Sequence, residues 1–150
     1  MSVPTVSIGL PVFNGENYLE EAIQCILSQT FTGFELIICD NNSSDNTGAI
    51  CKKYEQQDSR IRYYRNDENV GASRNFNQTF ELARGPYFKW AAHDDRLAAD
   101  FVERCVSVLD RDPDVVLCFS RTQVIDAEGR ETELIKVHPF MLSSKPGELV

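Results

Sequence analysis

The hydrophobic positions of this chain fall into short continuous runs separated by stretches in which they recur every three or four residues. The first run, Val6 to Phe13, is rich in β-branched residues and closed by Asn14-Gly15, which predicts a buried strand ending in a turn. Tyr18, Leu19, Ala22, Ile23, Ile26 and Leu27 then trace the apolar face of a helix. Asn17 and Glu20 are spaced as a capping box at its start, and Thr32-Gly33 ends it. A second strand, Glu35 to Cys39, breaks into the polar sequence Asp40-Asn41-Asn42-Ser43-Ser44-Asp45. Ser43, Ser44 and Asp45 suit the cap of a second helix that reaches about Gln56. Ile61 to Tyr64 predicts a third strand, Asn66 to Gly71 a loop, and Ser73 to Ala83 a helix stopped by Arg84-Gly85-Pro86. A fourth strand, Tyr87 to Ala91, runs into Ala92-His93-Asp94-Asp95. Ala98, Val102, Cys105, Val106 and Leu109 form another helical stripe, and Val115 to Ser120 predicts a fifth strand after the breaker Asp112-Pro113-Asp114.

Strands alternating with helices of about 10 to 15 residues predict βαβ units, hence an α/β fold with a mostly parallel, doubly wound sheet. The pattern weakens after Arg121. Thr122 to Asp126 is a candidate strand, Ala127-Glu128-Gly129-Arg130 a turn, Glu131 and Glu133 solvated acids, and residues 135 to 150 carry no recognisable element. With no internal repeat or low-complexity segment, residues 1–150 read as one domain with an irregular end.

Composition narrows the function. The 150 residues, 42% of them hydrophobic, suffice for a real core. A net charge of -8 disfavours nucleic acid and anionic membrane as partners. It leaves phosphorylated ligands open, because a bound divalent cation reverses the local sign. The cysteines, Cys25, Cys39, Cys51, Cys105 and Cys118, are odd in number and form no CxxC pair, which predicts free thiols in a reducing compartment. Met1 to Pro4 lacks a signal-peptide pattern, and no run approaches the ~20 apolar residues of a transmembrane helix. A cytoplasmic protein without a transmembrane segment is expected, with peripheral attachment to a membrane assembly left open.

Ligands of open α/β sheets bind beyond the carboxyl ends of the strands. Those ends here carry Pro11, Phe13, Asn14 and Glu16, then Asp40, Asn41 and Asn42, then His93, Asp94 and Asp95. Adjacent aspartates repel unless a cation or donor intervenes, and hard divalent ions prefer carboxylate oxygens while keeping positions open for phosphate. The Asp94-Asp95 pair therefore suits a metal; its plainer reading is a cap for the helix that follows. Asp40, ending its strand, is expected to project toward the crevice. Phe13 is placed to stack on a base, or to belong to the core. Arg74 is placed to pair a diphosphate, or simply to be solvated. His93 is a candidate ligand or a hydrogen-bonded bystander. The absence of CxxC, HExxH, GxSxG, Walker A and GxGxxG patterns argues against P-loop and dinucleotide-binding chemistry.

In order, Val6-Ser7-Ile8-Gly9-Leu10-Pro11-Val12-Phe13-Asn14, Ile26-Leu27-Ser28-Gln29-Thr30-Phe31, Phe34 through Asp45, Asn69-Val70-Gly71 with Arg74-Asn75, and Ala91-Ala92-His93-Asp94-Asp95 resemble family 2 glycosyltransferases of the GT-A fold. The likeness covers roughly residues 5 to 120. It implies a Rossmann-like, mostly parallel sheet flanked by helices, with 121–150 as the irregular start of an acceptor part and a chain shortened at its C-terminus. It implies that Pro11, Phe13, Asn14 and Glu16 line the base and ribose, that Asp40 and Asn41 face the base and that Asp94 lies near ribose and diphosphate. Asp95 would ligate Mn²⁺ or Mg²⁺. The implied partners are a nucleotide-diphosphate sugar, with a UDP-sugar favoured, and a saccharide or lipid-linked acceptor. The implied reaction inverts the anomeric carbon in polysaccharide or glycoconjugate synthesis, with a catalytic base beyond residue 150. His93 stands where the DXD motif has its first aspartate, Asn41 where many relatives carry a second aspartate, and the segment from Gly71 to Arg74 is short. Two other readings fit the same fold: a non-catalytic or shortened inactive nucleotide-binding module, and a nucleotidyltransferase. The latter is disfavoured because Pro11 to Glu16 carries one glycine and no Lys or Arg.

Overall fold

A computed structural model describes residues 3–135. The chain divides into two compact units, Met1–Asp100 and Phe101–Val150. The first contains β1 (Val6–Val12), α1 (Leu19–Leu27), β2 (Phe34–Asp40), α2 (Thr47–Gln57), β3 (Ile61–Arg65), α3 (Ala72–Glu81) and β4 (Tyr87–Trp90). The second contains α4 (Phe101–Arg111), β5 (Gln123–Ile125) and β6 (Glu131–Leu134).

Strands β1 to β4 form one parallel sheet in the order β3-β2-β1-β4. Every residue of β1 and β2 is buried, as in central strands covered on both faces. Right-handed crossovers account for the covering. The steps from β1 to β2 to β3 put α1 and α2 on one face, and the reverse step to β4 puts α3 on the other. Helix α1 buries Leu19, Ala22, Ile23 and Ile26, the stripe its spacing predicts. On the α3 face, a Cβ at Gly9 would lie 2.8 Å from the Phe88 ring and would also collide with the Thr79 side chain. Only glycine admits helix and strand this close. The strand order reverses between β1 and β4, which sets the switch point where such sheets bind ligands.

The opposite end of the sheet is fastened by Glu35, whose side chain is 2% exposed. Its carboxylate accepts from Ser7 Oγ at 2.7 Å, from the Arg84 backbone N–H at 2.9 Å, from the Arg84 guanidinium at 2.6 and 2.8 Å, and from Arg62 at 2.9 Å. Burial pushes this carboxyl up, but the bonds from Arg84, Ser7 and Arg62 outweigh it and hold it below the ordinary value. One acid thus joins β1, β2, β3 and the turn before β4.

Several local expectations are corrected. Helix α1 begins at Leu19 with Tyr18 as N-cap, and no capping box forms. Glu20 instead accepts from Lys53 Nζ at 2.7 Å and Tyr54 OH at 2.9 Å on α2, where an ammonium and a hydroxyl together replace the single backbone N–H that a capping box would offer it. In α2 the N-cap is Asn46, without a side-chain cap bond; Asp45, one residue earlier, accepts from the Thr47 N–H at 3.0 Å, whereas Ser43 and Ser44 bond to the β1–α1 loop. Residues 115–120 form no strand; Val116 and Leu117 are 85% and 70% exposed. A strand exists only where a neighbour supplies a ladder, and among the described residues none pairs with this run. The turn at 127–130 is present, but it leads into a strand, β6, that pairs antiparallel with β5. Its Glu131-Thr132-Glu133-Leu134 sequence is exposed throughout, so apolar periodicity could not reveal it. Beyond Ile135, the expected lack of structure falls outside the described residues. The five cysteines form no disulfide with one another, and burial pushes the thiols of Cys39 and Cys51 up to about 12. Among the described residues no helix is long and apolar enough to cross a membrane.

Candidate functional site

The carboxyl ends of β1, β2 and β4 open onto one cleft of about 340 Å³ at the switch point. Strand β1 contributes Pro11, Val12 and, just past its end, Phe13, which is 47% exposed. Asn41 follows β2, and Ala92, His93 and Asp94 follow β4. The α3 side supplies Asn69, Ala72, Asn75 and Phe76. The cleft therefore combines two aromatic rings, a group of carboxamides and a carboxylate.

Pro11, Phe13, Asn41 and Asp94 are brought together as the sequence suggests. Asn14 and Glu16 are not in the lining. The Asn14 N–H donates to Ser43 Oγ at 2.9 Å, and Asn14 Oδ1 accepts from the Ser44 N–H at 2.9 Å. Glu16 Oε2 accepts from the backbone and side-chain amides of Asn46 at 2.9 and 2.8 Å. Gly15 N–H donates to Thr47 Oγ1 at 2.9 Å between them. These bonds lace the β1–α1 loop to the β2–α2 loop. Asn14 and Asn42 both take left-handed backbone angles, φ 51 and 63, which asparagine tolerates better than most residues.

Asp40 does not project toward the crevice. It is 0% exposed, with Oδ1 accepting from the Ser43 N–H at 2.8 Å and Oδ2 from Tyr63 OH at 2.9 Å and Arg65 at 3.2 Å. The neighbouring donors draw the carboxylate into the β2–α2 turn, since an unpaired buried charge would be far costlier. Burial, with the bond to Asp40, in turn pushes the Tyr63 hydroxyl up.

Arg74 and Asp95 are exposed and lie outside the lining. Asp95 follows the turn at His93-Asp94, and the residues after it are tied to α1 and its exit: Arg96 pairs with Glu21 at 2.6 Å, Gln29 Nε2 donates to Ala98 O at 2.7 Å, and the Thr30 N–H donates to Ala99 O at 2.8 Å. His93 is half-buried; a Cβ at Gly15 would sit 2.6 Å from its Cδ2, so the glycine makes room for the imidazole. Among the described residues no three His, Cys, Asp or Glu side chains converge on one point. The exposed carboxylates of Asp94 and Asp95 nonetheless suit a hard cation that takes its remaining ligands from phosphate and water. The sequence pattern by itself points to no role for Asn69, Ala72, Asn75 or Phe76. The density of asparagine between 66 and 75 was the available signal.

The profile of glycosyl transferase family 2 matches residues 7–148. A glycosyltransferase of Rickettsia felis is 33% identical over 136 residues, covering 89% of this chain and 22% of that one. Among solved structures, Staphylococcus aureus TarS residues 1-349 in complex with UDP superposes with a TM-score of 0.67 at 23% identity, covering 71% of this chain and 32% of that one. The mannosyltransferase PcManGT of Pyrobaculum calidifontis, in complex with GDP-Man and Mn²⁺, gives 0.68 at 22% identity, covering 77% and 34%. These likenesses establish the GT-A type of fold. The chain spans a fifth to a third of the length of the proteins named here.

Proposed function

The chain belongs to glycosyl transferase family 2, and on that footing we propose that its cleft binds the nucleoside diphosphate of a sugar donor, a UDP-sugar being favoured. The observation that carries this reading is the convergence of three strand ends on one cleft at the switch point, with an aromatic ring, amides and an acid each at a different wall. In this reading Phe13 stacks on the base, Pro11 and Asn41 border it, and Asp94 accepts from ribose hydroxyls. Asn14, Glu16 and Asp40 act as positioning residues that fix the two loops. Arg74 meets the diphosphate from the start of α3.

Asp95, with Asp94, would hold Mn²⁺ or Mg²⁺. Such an ion, when bound, supplies Lewis-acid stabilisation of the leaving nucleoside diphosphate. The enzyme would transfer the sugar with inversion to a saccharide or lipid-linked hydroxyl in polysaccharide or glycoconjugate synthesis. It would work in the cytoplasm, with peripheral access to membrane assemblies. Among the described residues no side chain is assigned as the base that deprotonates the acceptor. Donor binding and sugar transfer are therefore tested separately.

The test is calorimetric titration of UDP into the chain with and without Mn²⁺, beside Asp95→Ala. Binding that needs the metal and weakens at least tenfold in Asp95→Ala is expected. A folded protein that binds neither UDP nor GDP under either condition overturns the reading.

A further inference from the structure

Four asparagines beside the cleft form a network whose direction is fixed by the main chain. Asn41 Oδ1 accepts from the Val70 backbone N–H at 2.9 Å, so that atom must be the oxygen. The same oxygen accepts from Asn66 Nδ2 at 3.2 Å. Asn69 Oδ1 accepts from the Gly71 N–H at 2.9 Å, which pins Asn69 in the same way, and from Asn41 Nδ2 at 2.8 Å. Asn75 Nδ2 donates to Cys39 O at 2.8 Å, and Asn75 Oδ1 accepts from Asn66 Nδ2 at 3.1 Å. Every amide orientation is thus set by a backbone group, directly or through one neighbour.

The consequence concerns hydrogen-bonding capacity. A carboxamide oxygen has two lone pairs, and those of Asn41 and Asn69 are both fully engaged. What the two residues have left is donors: one N–H on Asn41 and both on Asn69. Asn41 is buried at 3% exposure, whereas Asn69 is exposed, so Asn69 Nδ2 is the more accessible donor at the cleft. Asn75 Oδ1 keeps one lone pair, but Asn75 is buried at 3% exposure, so the accessible side-chain group of this wall is a donor. The cleft's lining carboxylate, Asp94, follows a different strand, β4.

The geometry points to Asn69 as a specificity-determining residue that donates to a ring carbonyl, so that the site prefers keto bases (uracil, guanine) over amino bases (cytosine, adenine). Asn41 is a positioning residue acting through it, holding Asn69 Oδ1 so that Nδ2 faces out. An exocyclic amine placed against Nδ2 would set donor against donor and leave both groups desolvated and unpaired, the situation that makes polar sites selective. The inference rests on the proposed donor-site reading and adds the chemical class of the base to it.

Asn69→Asp isolates the effect. A carboxylate at 69 can still accept from Gly71 and Asn41 through one oxygen, but it presents an acceptor where the amide presented donors. Its added charge weakens all diphosphates alike, so the informative quantity is the ratio of affinities within each ring class. Titration of UDP, CDP, GDP and ADP into the Mn²⁺-loaded chain is expected to favour UDP over CDP and GDP over ADP by about tenfold. Asn69→Asp should shift both ratios toward the amino base by at least that factor. Asn41→Asp, which cannot donate to Asn69, should shift them in the same direction by less, with the thermal midpoint recorded to confirm folding. Ratios that stay within twofold of wild type in Asn69→Asp overturn the inference and leave the donor-site reading intact. Failure of the wild-type chain to bind any of the four overturns both.

Discussion

At the scale of single residues, Phe13 and Asp40 lie at the carboxyl ends of neighbouring strands in opposite environments. Phe13 is 47% exposed at the end of a strand that is otherwise buried, so its ring contributes little to the core and much to the cleft wall. Stacking of a base on an aromatic ring is worth ~1–3 kcal/mol. Phe13→Ala should therefore weaken UDP binding about tenfold while moving the thermal midpoint little. An affinity within twofold of wild type would remove Phe13 from the site. Asp40 illustrates the opposite case, and why sequence could not foresee it. Its place at a strand end was legible; that Ser43, Tyr63 and Arg65 would claim both oxygens was not, because those donors come from a turn and from β3. The role proposed for Asn69 is illegible in the sequence for the same reason: it rests on which lone pairs are occupied, a property of contacts and not of spacing.

At the scale of elements, the chain was legible wherever one element carried its own signal. The buried runs of β1 and β2 and the stripe of α1 stand where the apolar pattern puts them, since burial on two faces or on one stripe writes itself into the sequence. Where pairing decides, the pattern misled. Residues 115–120 have the composition of a strand without a ladder, and β6 has a ladder without the composition. The loops after β1 and β2 behave as a further element of this kind. Neither shows periodicity, yet Asn14, Gly15 and Glu16 bond across to Ser43, Ser44, Asn46 and Thr47. Gly15 is where this laced pair meets the β4 turn, because a Cβ there would lie 2.6 Å from His93 and 2.7 Å from Val12. Gly15→Ala should cost about 1–3 kcal/mol in urea unfolding and weaken nucleotide binding as His93 is displaced. Unchanged binding in a destabilised variant would show that His93 does not shape the cleft.

At the scale of the whole molecule, the parallel sheet keeps the Glu35 cluster and the cleft at opposite ends. Glu35 and Asn41 lie six residues apart along β2 and its exit, roughly 20 Å in an extended chain. Glu35 holds four segments together, and its replacement strands Arg62 and Arg84 with no acid and Ser7 Oγ with no acceptor. Arg84 is 50% exposed and can rehydrate, which keeps the loss below that of a fully buried pair, so Glu35→Ala should destabilise by about 2–3 kcal/mol at pH 7. The pH dependence follows from the sign of the shift. The folded-state value of Glu35 lies below the ordinary 4.5, so the folded protein binds this proton less readily than the unfolded chain. Its contribution is complete above 4.5 and is lost as pH falls through the lowered value. The stability gap between wild type and Glu35→Ala should therefore be constant from pH 7 to about 5 and close as pH falls below 4.5. At pH 7 and a temperature where both proteins are folded, the two should bind UDP with the same affinity, because every group of the cleft lies at the other end of the strands. A gap that stays constant down to pH 3 would show that the carboxylate's charge contributes nothing to the cluster. A loss of UDP affinity in the folded variant would show that the sheet transmits the damage, and that the two ends are not independent.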